Sequence, residues 1–382
     1  MNENLKFSVE RASFINALSV GGGLANKGKM ALPCLEMCKV MVSPQQRCKV
    51  TSYDGETAIV TRYEGRLTTT ISEDVVFLVS PTDVVKYLRA IDDEEVDIEL
   101  SATLQDMTIR HATGYTRIAC DDAQEFPTPK REDGLCTFSL TSDTIVSLLD
   151  KARRFVSSDS LRPQMCGVHF AIADGVMSIS ATDAQVLFND NVSVDSASFV
   201  GEAIISSRVL TNVLSVVGDG SRTVDVIIGE STLSFKSDTS QIMCRKTEGR
   251  FPNVKGVIPT TDAPIVLEVA KKDFTSCVKR AMMSANATNP IIRLVASQAN
   301  DVLCIESEDI DNNRASMERV RKTHTGDDIT IGFSGTNLLL AIDAVDDDVI
   351  QLHLTADVRP MIVHDALHSR ETILVMPMMI RK

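Results

Sequence analysis

The feature that most constrains this chain is a threefold internal repeat. "FSVERASFINAL" (7–18), "FSLTSDTIVSLL" (138–149) and "LEVAKKDFTSCV" (267–278) each begin as a short alternating strand and switch to helical spacing. Val9, Leu140 and Val269 are followed by an apolar residue at +5 (Phe14, Ile145, Phe274) and another at +9 (Leu18, Leu149, Val278), so the motif recurs after 131 and then 129 residues. A second mark, "VSPTDVVKYL" (79–88), "ISSRVLTNVL" (205–214) and "FSGTNLLLAI" (333–342), recurs after 126 and 128 residues. It sets Ser80, Ser206 and Ser334 where a hydroxyl would cap the first turn of a helix. A third mark places Asp54, Asp183 and Asp309 at the ends of "VTSYD", "ISATD" and "IESED", 129 and 126 residues apart. One carboxylate per unit at a strand end points to a turn or capping role, not to acid–base chemistry. Three marks with one period imply triplication of a unit of roughly 125 residues, an ordinary domain size.

Within each unit the rest of the sequence is short and alternating, as in "GVHFAIADGVMSISATD" and "TVDVIIGESTLSFKS", where "ADG" and "GES" sit at hairpin turns. The prediction is an α+β protein of three tandem similar domains, each with two helices packed on antiparallel sheets. Pro, Gly and charge cluster near "EFPTPKREDG" (125–134) and "RFPNVKGVIPTTDAP" (250–264), giving expected domains 1–130, 131–258 and 259–382.

The chain has 382 residues, too many for one core, and a net charge of −13 that excludes a surface basic all over. Nine cysteines with no C-x-x-C pair read as reduced, mostly buried thiols. The first twenty residues carry no signal-peptide pattern, and no run approaches the roughly 18 apolar residues of a membrane span. The expected location is cytoplasmic, without membrane association.

Taken in order, "VERASFINAL", "ALPCL", "ATDAQVL", "GRFPNVKGVIP", "IGFSGTNLLLAI" and "VMPMMI" resemble the bacterial DNA polymerase III beta subunit, the sliding clamp family, over the whole chain. The resemblance implies a clamp fold and a ring-shaped head-to-tail homodimer, with helices lining a hole for double-stranded DNA. It implies a processivity factor for DNA replication, with no catalytic site and no cofactor. Partners would be the replicative polymerase and the clamp loader, each docking a short linear peptide. An alternative is a diverged clamp homologue that acts as an interaction scaffold with altered partner specificity.

Carried onto this sequence, the peptide groove comprises Met165, Thr182, Ala184, Gln185, Val186, Leu187, Pro252, Gly256, Val257, Leu374, Met376, Pro377, Met378 and Met379. Flexible Met side chains suit a groove that accepts several peptides. Many relatives have Gly-His-Arg where this chain has Ala184, Gln185 and Val186, an arginine at Gly256 and another at Met379. The expectation is therefore a greasier pocket with a changed partner preference. Lys272, Lys279 and Arg280 share a helix face opposite Phe274, Val278 and Ala281. Lys151 and Arg154 lie one turn apart, and Lys86 and Arg89 repeat the pattern. With Lys27 and Lys29 on a loop, these are the expected contacts to DNA phosphates, independent of base sequence. Ring closure is expected to bring Met107 and Ile109 against Met282 and Met283.

Two motifs compete with this reading. Gly23, Gly28 and Lys29 match the spacing of a phosphate-binding loop, and a nucleotide hydrolase would use them. However, Met30 stands where a magnesium-binding Ser or Thr belongs, and the stretch follows a helix. His364 and His368 have the spacing of a helical metal pair but fall between strand-like runs, so no metal is expected.

Overall fold

The computed structural model describes residues 5–25, 30, 32–129, 132–195, 199–218, 222–259, 263–365 and 371–380. In chain order these form β1 (Leu5–Glu10), α1 (Arg11–Gly21), β2 (Cys38–Ser43), β3 (Arg47–Tyr53), β4 (Thr57–Arg62), β5 (Leu67–Thr69), β6 (Val75–Val79), α2 (Pro81–Arg89), β7 (Glu95–Leu100), β8 (Asp106–His111) and β9 (Gly114–Asp122). The middle third contributes β10 (Cys136–Thr141), α3 (Ser142–Ala152), β11 (Gly167–Ala173), β12 (Val176–Thr182), β13 (Val186–Ser193), β14 (Gly201–Ser206), α4 (Leu210–Val217), β15 (Thr223–Ile228), β16 (Thr232–Lys236) and β17 (Ser240–Arg245). The last third adds β18 (Ile265–Ala270), α5 (Lys271–Met282), β19 (Ile291–Ala296), β20 (Val302–Asp309), β21 (Arg314–Thr325), β22 (Ile329–Ser334), α6 (Gly335–Ala344), β23 (Val349–Leu354), β24 (Met361–Asp365) and β25 (Thr372–Val375).

Two compact units result, one of Met1–Val146, Val194–Ser196 and Arg208–Lys246, the other of Ser147–Ser193, Ala197–Ser207 and Thr247–Lys382. Each is organised by one sheet that draws strands from two successive repeats. The first sheet runs β10-β15-β16-β17-β4-β3-β2-β6-β9-β8-β7-β1-β5, and β17 joins β4 antiparallel through Ile242 opposite Ile59. The second runs β14-β11-β12-β13-β25-β24-β23-β18-β21-β20-β19-β22, with Val186 opposite Val375 at the β13–β25 join.

The repeat marks take the same structural place each time. The opening strand of each repeat pairs antiparallel with the strand after its second helix, placing Val9 opposite Val96, Leu140 opposite Val224 and Val269 opposite Ile350. Phe14, Leu18, Ile145, Leu149, Phe274 and Val278 are buried. Each such side chain contributes roughly 1.5–3 kcal/mol of transfer free energy, which is what makes the helical spacing recur.

Ser80 caps α2 by accepting from the Asp83 amide, and Ser334 caps α6 by accepting from the Asn337 amide, each at 3.4 Å. The middle repeat departs. A 3-10 turn, Ser207–Val209, separates Ser206 from α4, whose N-cap is Val209, a residue without a capping oxygen. Asp54 accepts the amides of Glu56 and Thr57, and Asp183 accepts those of Gln185 and Val186. Both act as the turn residues expected. Asp309 likewise accepts the amide of Asn312 three residues on, and adds the side-chain amides of Asn286 and Asn312.

The described cysteines form no disulfide. Burial pushes the thiols of Cys48 and Cys120 up to about 12, so both stay protonated at neutral pH.

Candidate functional site

Of the expected groove residues, Thr182 to Leu187 and Leu374 to Met376 meet at the β13–β25 join, within the second unit. Thr182 ends β12, and its hydroxyl donates to the Val186 carbonyl at 2.6 Å while accepting from the Ala184 amide at 3.0 Å. Together with the Asp183 carboxylate this holds a tight turn with Ala184 at φ 78°, in the left-handed region usually left to glycine. The turn leaves Ala184 and Gln185 exposed. Below it, Val186 and Leu187 are buried against Val375 and Leu374.

The tail then changes partner. Met376 donates its amide to the Gln185 carbonyl at 2.8 Å, extending the ladder by one bond. Pro377 has no amide to donate, and the next residue crosses to β22, where the Met378 amide reaches the Gly332 carbonyl at 2.7 Å. Gly332 lets the tail come close: a Cβ would lie 2.3 Å from Ile380 Cγ2 and 3.0 Å from the Met378 carbonyl oxygen. Asn337, in the first turn of α6, donates to the Gln185 side chain at 2.9 Å and ties the turn to the helix.

Met376, Pro377 and Met378 are thereby held half-buried beside the β12–β13 turn. Met379 is 96% exposed and lines a 280 Å³ cleft with Ile291, Arg293, Glu306 and Ile310. Met165 is buried in a 3-10 turn, Pro163–Met165. Just before Pro252, Phe251 stacks on His169 of β11 at 4.5 Å, and Asn253 caps the turn holding Gly256 by accepting its amide at 3.3 Å. Pro252, Gly256 and Val257 are exposed. Of the expected set, Met165, Thr182, Val186, Leu187 and Leu374 are buried, and the others are half-buried or exposed.

The expected DNA contacts divide. Lys86 and Arg89 are exposed in the last turn of α2, and Lys272 and Lys279 are exposed on α5. Lys151 does not join them: it is 8% exposed, and its ammonium donates to Asp346 and Glu371, each at 2.6 Å. Arg154 is bound to Asp343 at 2.8 Å and Asp150 at 3.2 Å, and Arg280 makes a double contact with Glu318 at 2.6 and 2.8 Å. These three cations already have carboxylates, a pairing invisible to helical spacing because every partner but Asp150 is remote in sequence. Lys27 and Lys29 lie outside the described residues.

The expected ring-closing residues also divide. Met107 and Ile109 are fully buried in the core of the first unit, on a strand flanked on both sides by β7 and β9. They cannot form an outer edge. Among the described residues β9 offers a free edge along Gly114–Ala119, where it pairs only with β8, before turning to β6 at Cys120. In the second unit β21 does the same, pairing with β20 through Arg314–Arg321 and with β18 from Lys322. Met282 is half-buried, with its Cγ 2.8 Å from where a Cβ on Gly335 would sit, whereas Met283 is 76% exposed.

Gly23 follows α1 as expected, and Gly28 and Lys29 lie outside the described residues. His364 donates toward the Glu371 carbonyl at 3.2 Å, and His368 lies outside the described residues. Among the described residues no group of three or more His, Cys, Asp or Glu is arranged to hold a metal ion. None of their helices is long and apolar enough to cross a membrane.

A triplicated α+β unit, with its last strand docked on the middle repeat and an apolar tail beyond it, defines a clamp-type protein. Residues 139–253 match the family model described as "DNA polymerase III beta subunit, central domain", and residues 255–379 match "DNA polymerase III beta subunit, C-terminal domain". Together they cover more than half of the chain, which therefore belongs to the DNA polymerase III beta subunit family. The Beta sliding clamp of Halalkalibacterium halodurans is 21% identical over 98% of this chain and 99% of its own length. That of Bacillus subtilis is 23% identical over 67% of this chain and 68% of its own. Among solved structures, the Bacillus subtilis DNA polymerase sliding clamp superposes with a TM-score of 0.90 at 18% identity, covering 99% of this chain and all of that one. A sliding clamp from Pseudomonas aeruginosa bound to griselimycin gives 0.92 at 18%, with the same coverage.

Proposed function

We propose that this DNA sliding clamp works as a head-to-tail homodimeric ring that encloses duplex DNA and tethers a replicative polymerase and a clamp loader. Their short peptides would bind beside the C-terminal tail. The observation that carries the reading is the tail's change of partner from Gln185 to Gly332, which holds Met376 to Met378 beside the exposed Ala184–Gln185 turn. Such a surface offers a peptide apolar contact and few charged donors, so peptides rich in apolar side chains are its preferred ligands.

Ring closure is assigned to the free edges of β9 and β21, which replace the buried Met107 and Ile109. Two long unpaired edges invite strand addition, and a second copy would satisfy both. Exposed Met283 and Met317 add apolar surface in the same repeat as β21. DNA contact rests on Lys86, Arg89, Lys272 and Lys279, which would meet phosphates without reading bases.

A second reading, a diverged clamp serving only as a scaffold, draws support from the engagement of Lys151, Arg154 and Arg280 in ion pairs. One experiment separates the two. The chain is loaded onto nicked circular DNA with a clamp loader and ATP, and the circle is then cut. Retention on the circle and release from the linear product support the ring. Failure to be retained, with normal binding of partner peptides, leaves the scaffold reading standing.

A further inference from the structure

On the first unit, the sheet face formed by β2, β3, β4 and β17 carries a 620 Å³ cleft that runs on into a second of 220 Å³, the two sharing Met41, Lys49, Val60 and Gln241. Cations line both clefts, with Arg47, Lys49, Arg62 and Lys236 in the larger and Lys39 and Lys49 in the smaller. Lys49 and Arg62 are direct cross-strand partners on β3 and β4, and Arg47 precedes Lys49 by two residues on the same face. Lys236, at the end of β16, lines the same cleft, where, among the described residues, Asp238 is the only carboxylate. Arg47, Arg62 and Lys236 are all exposed. In a chain of net charge −13, such a local cluster is a deliberate contrast in potential.

Apolar side chains alternate with these cations: Met41 and Val60 line both clefts, and Ala58, Val76 and Met243 line the smaller one beside Thr128 and Pro129. Among the residues lining both clefts only Tyr63 is aromatic, and its ring is committed: the hydroxyl donates to the Arg66 carbonyl and accepts from the Glu10 amide, each at 2.8 Å. A single strand of nucleic acid would find cations but no ring free to stack its bases. A peptide that interleaves carboxylates with apolar side chains would satisfy both the cations and the apolar side chains between them.

We infer that this face is a second docking site, distinct from the tail groove, for an extended acidic segment of a partner protein with apolar residues between its carboxylates. The proposal stands independently of peptide binding at the tail.

The test measures fluorescence anisotropy with three labelled probes of equal length: alternating Glu–Leu, glutamate only, and oligothymidylate. The alternating peptide should bind the full-length chain at low salt and be released at high salt. It should bind about tenfold more weakly to the Arg62→Glu, Lys236→Glu double variant, because charges at a binding surface set partner choice. The milder Arg62→Gln, Lys236→Gln variant is measured alongside, and thermal melting of both confirms that they fold. Equal binding by parent and variants overturns the proposal. So does equal affinity for the glutamate-only peptide, or preference for the oligonucleotide.

Discussion

Gly332 and Met379 act on the same tail in opposite ways. Gly332→Ala would drive a methyl into Ile380 and against the Met378 carbonyl, dislodging the bridge that positions the tail. Partner-peptide affinity should fall about tenfold, about 1.4 kcal/mol, in a titration calorimetry experiment. The paired change Gly332→Ala, Ile380→Ala should recover part of it. Met379 touches little, so Met379→Arg should change unfolding free energy by no more than about 0.5 kcal/mol. It should tighten binding of peptides that carry an acidic residue, and unchanged affinity would remove Met379 from partner selection. Lys151 is a different case. Burial alone would lower its pKa, but its bonds to Asp346 and Glu371 outweigh this and raise it. Glu371, whose own pKa burial raises against the pull of Lys151, is the costlier member of the pair. A lysine with a raised folded pKa stabilises fully below its unfolded value near 10.4, and that contribution is lost as pH rises through the folded value. Lys151→Met should therefore cost roughly 1–3 kcal/mol at neutral pH and flatten the alkaline fall in stability, measured by urea unfolding across pH.

At the scale of elements, capping separates the repeats. α2 and α6 begin at Ser80 and Ser334, each accepting a first-turn amide, while α4 begins at Val209. Ser80→Ala and Ser334→Ala should each lower stability by about 1 kcal/mol in urea titrations. The long strands β9 and β21 show why an edge cannot be read from apolar alternation alone. Met107 and Ile109 alternate as a strand should, yet β8 has neighbours on both sides, and the exposed edge lies one strand further on.

For the whole molecule, the electrostatics of the helices are narrower than basic spacing implies. Lys272 and Lys279 are exposed on α5, so Lys272→Glu with Lys279→Glu should shorten retention on circular DNA and reduce its salt dependence by roughly two phosphate contacts. The measure is retained protein against salt concentration. Retention equal to the parent's would exclude this helix from the DNA path. The same change should leave peptide affinity at the tail unaltered, since α5 makes none of the tail's hydrogen bonds.

By itself the sequence determined the triplication, the six helices and the turn carboxylates Asp54 and Asp183. Those depend on spacing between near neighbours, which a chain carries in one dimension. The tail entered as a groove wall only through the family resemblance, and that remains a proposal. Only the tertiary structure decided that Lys151, Arg154 and Arg280 face carboxylates, that Met107 and Ile109 are interior, and that Met378 bridges to Gly332. Each depends on which distant segments meet across a sheet. Coulomb pairing and strand neighbours are set by proximity in space, and helical or strand periodicity contains no term for it.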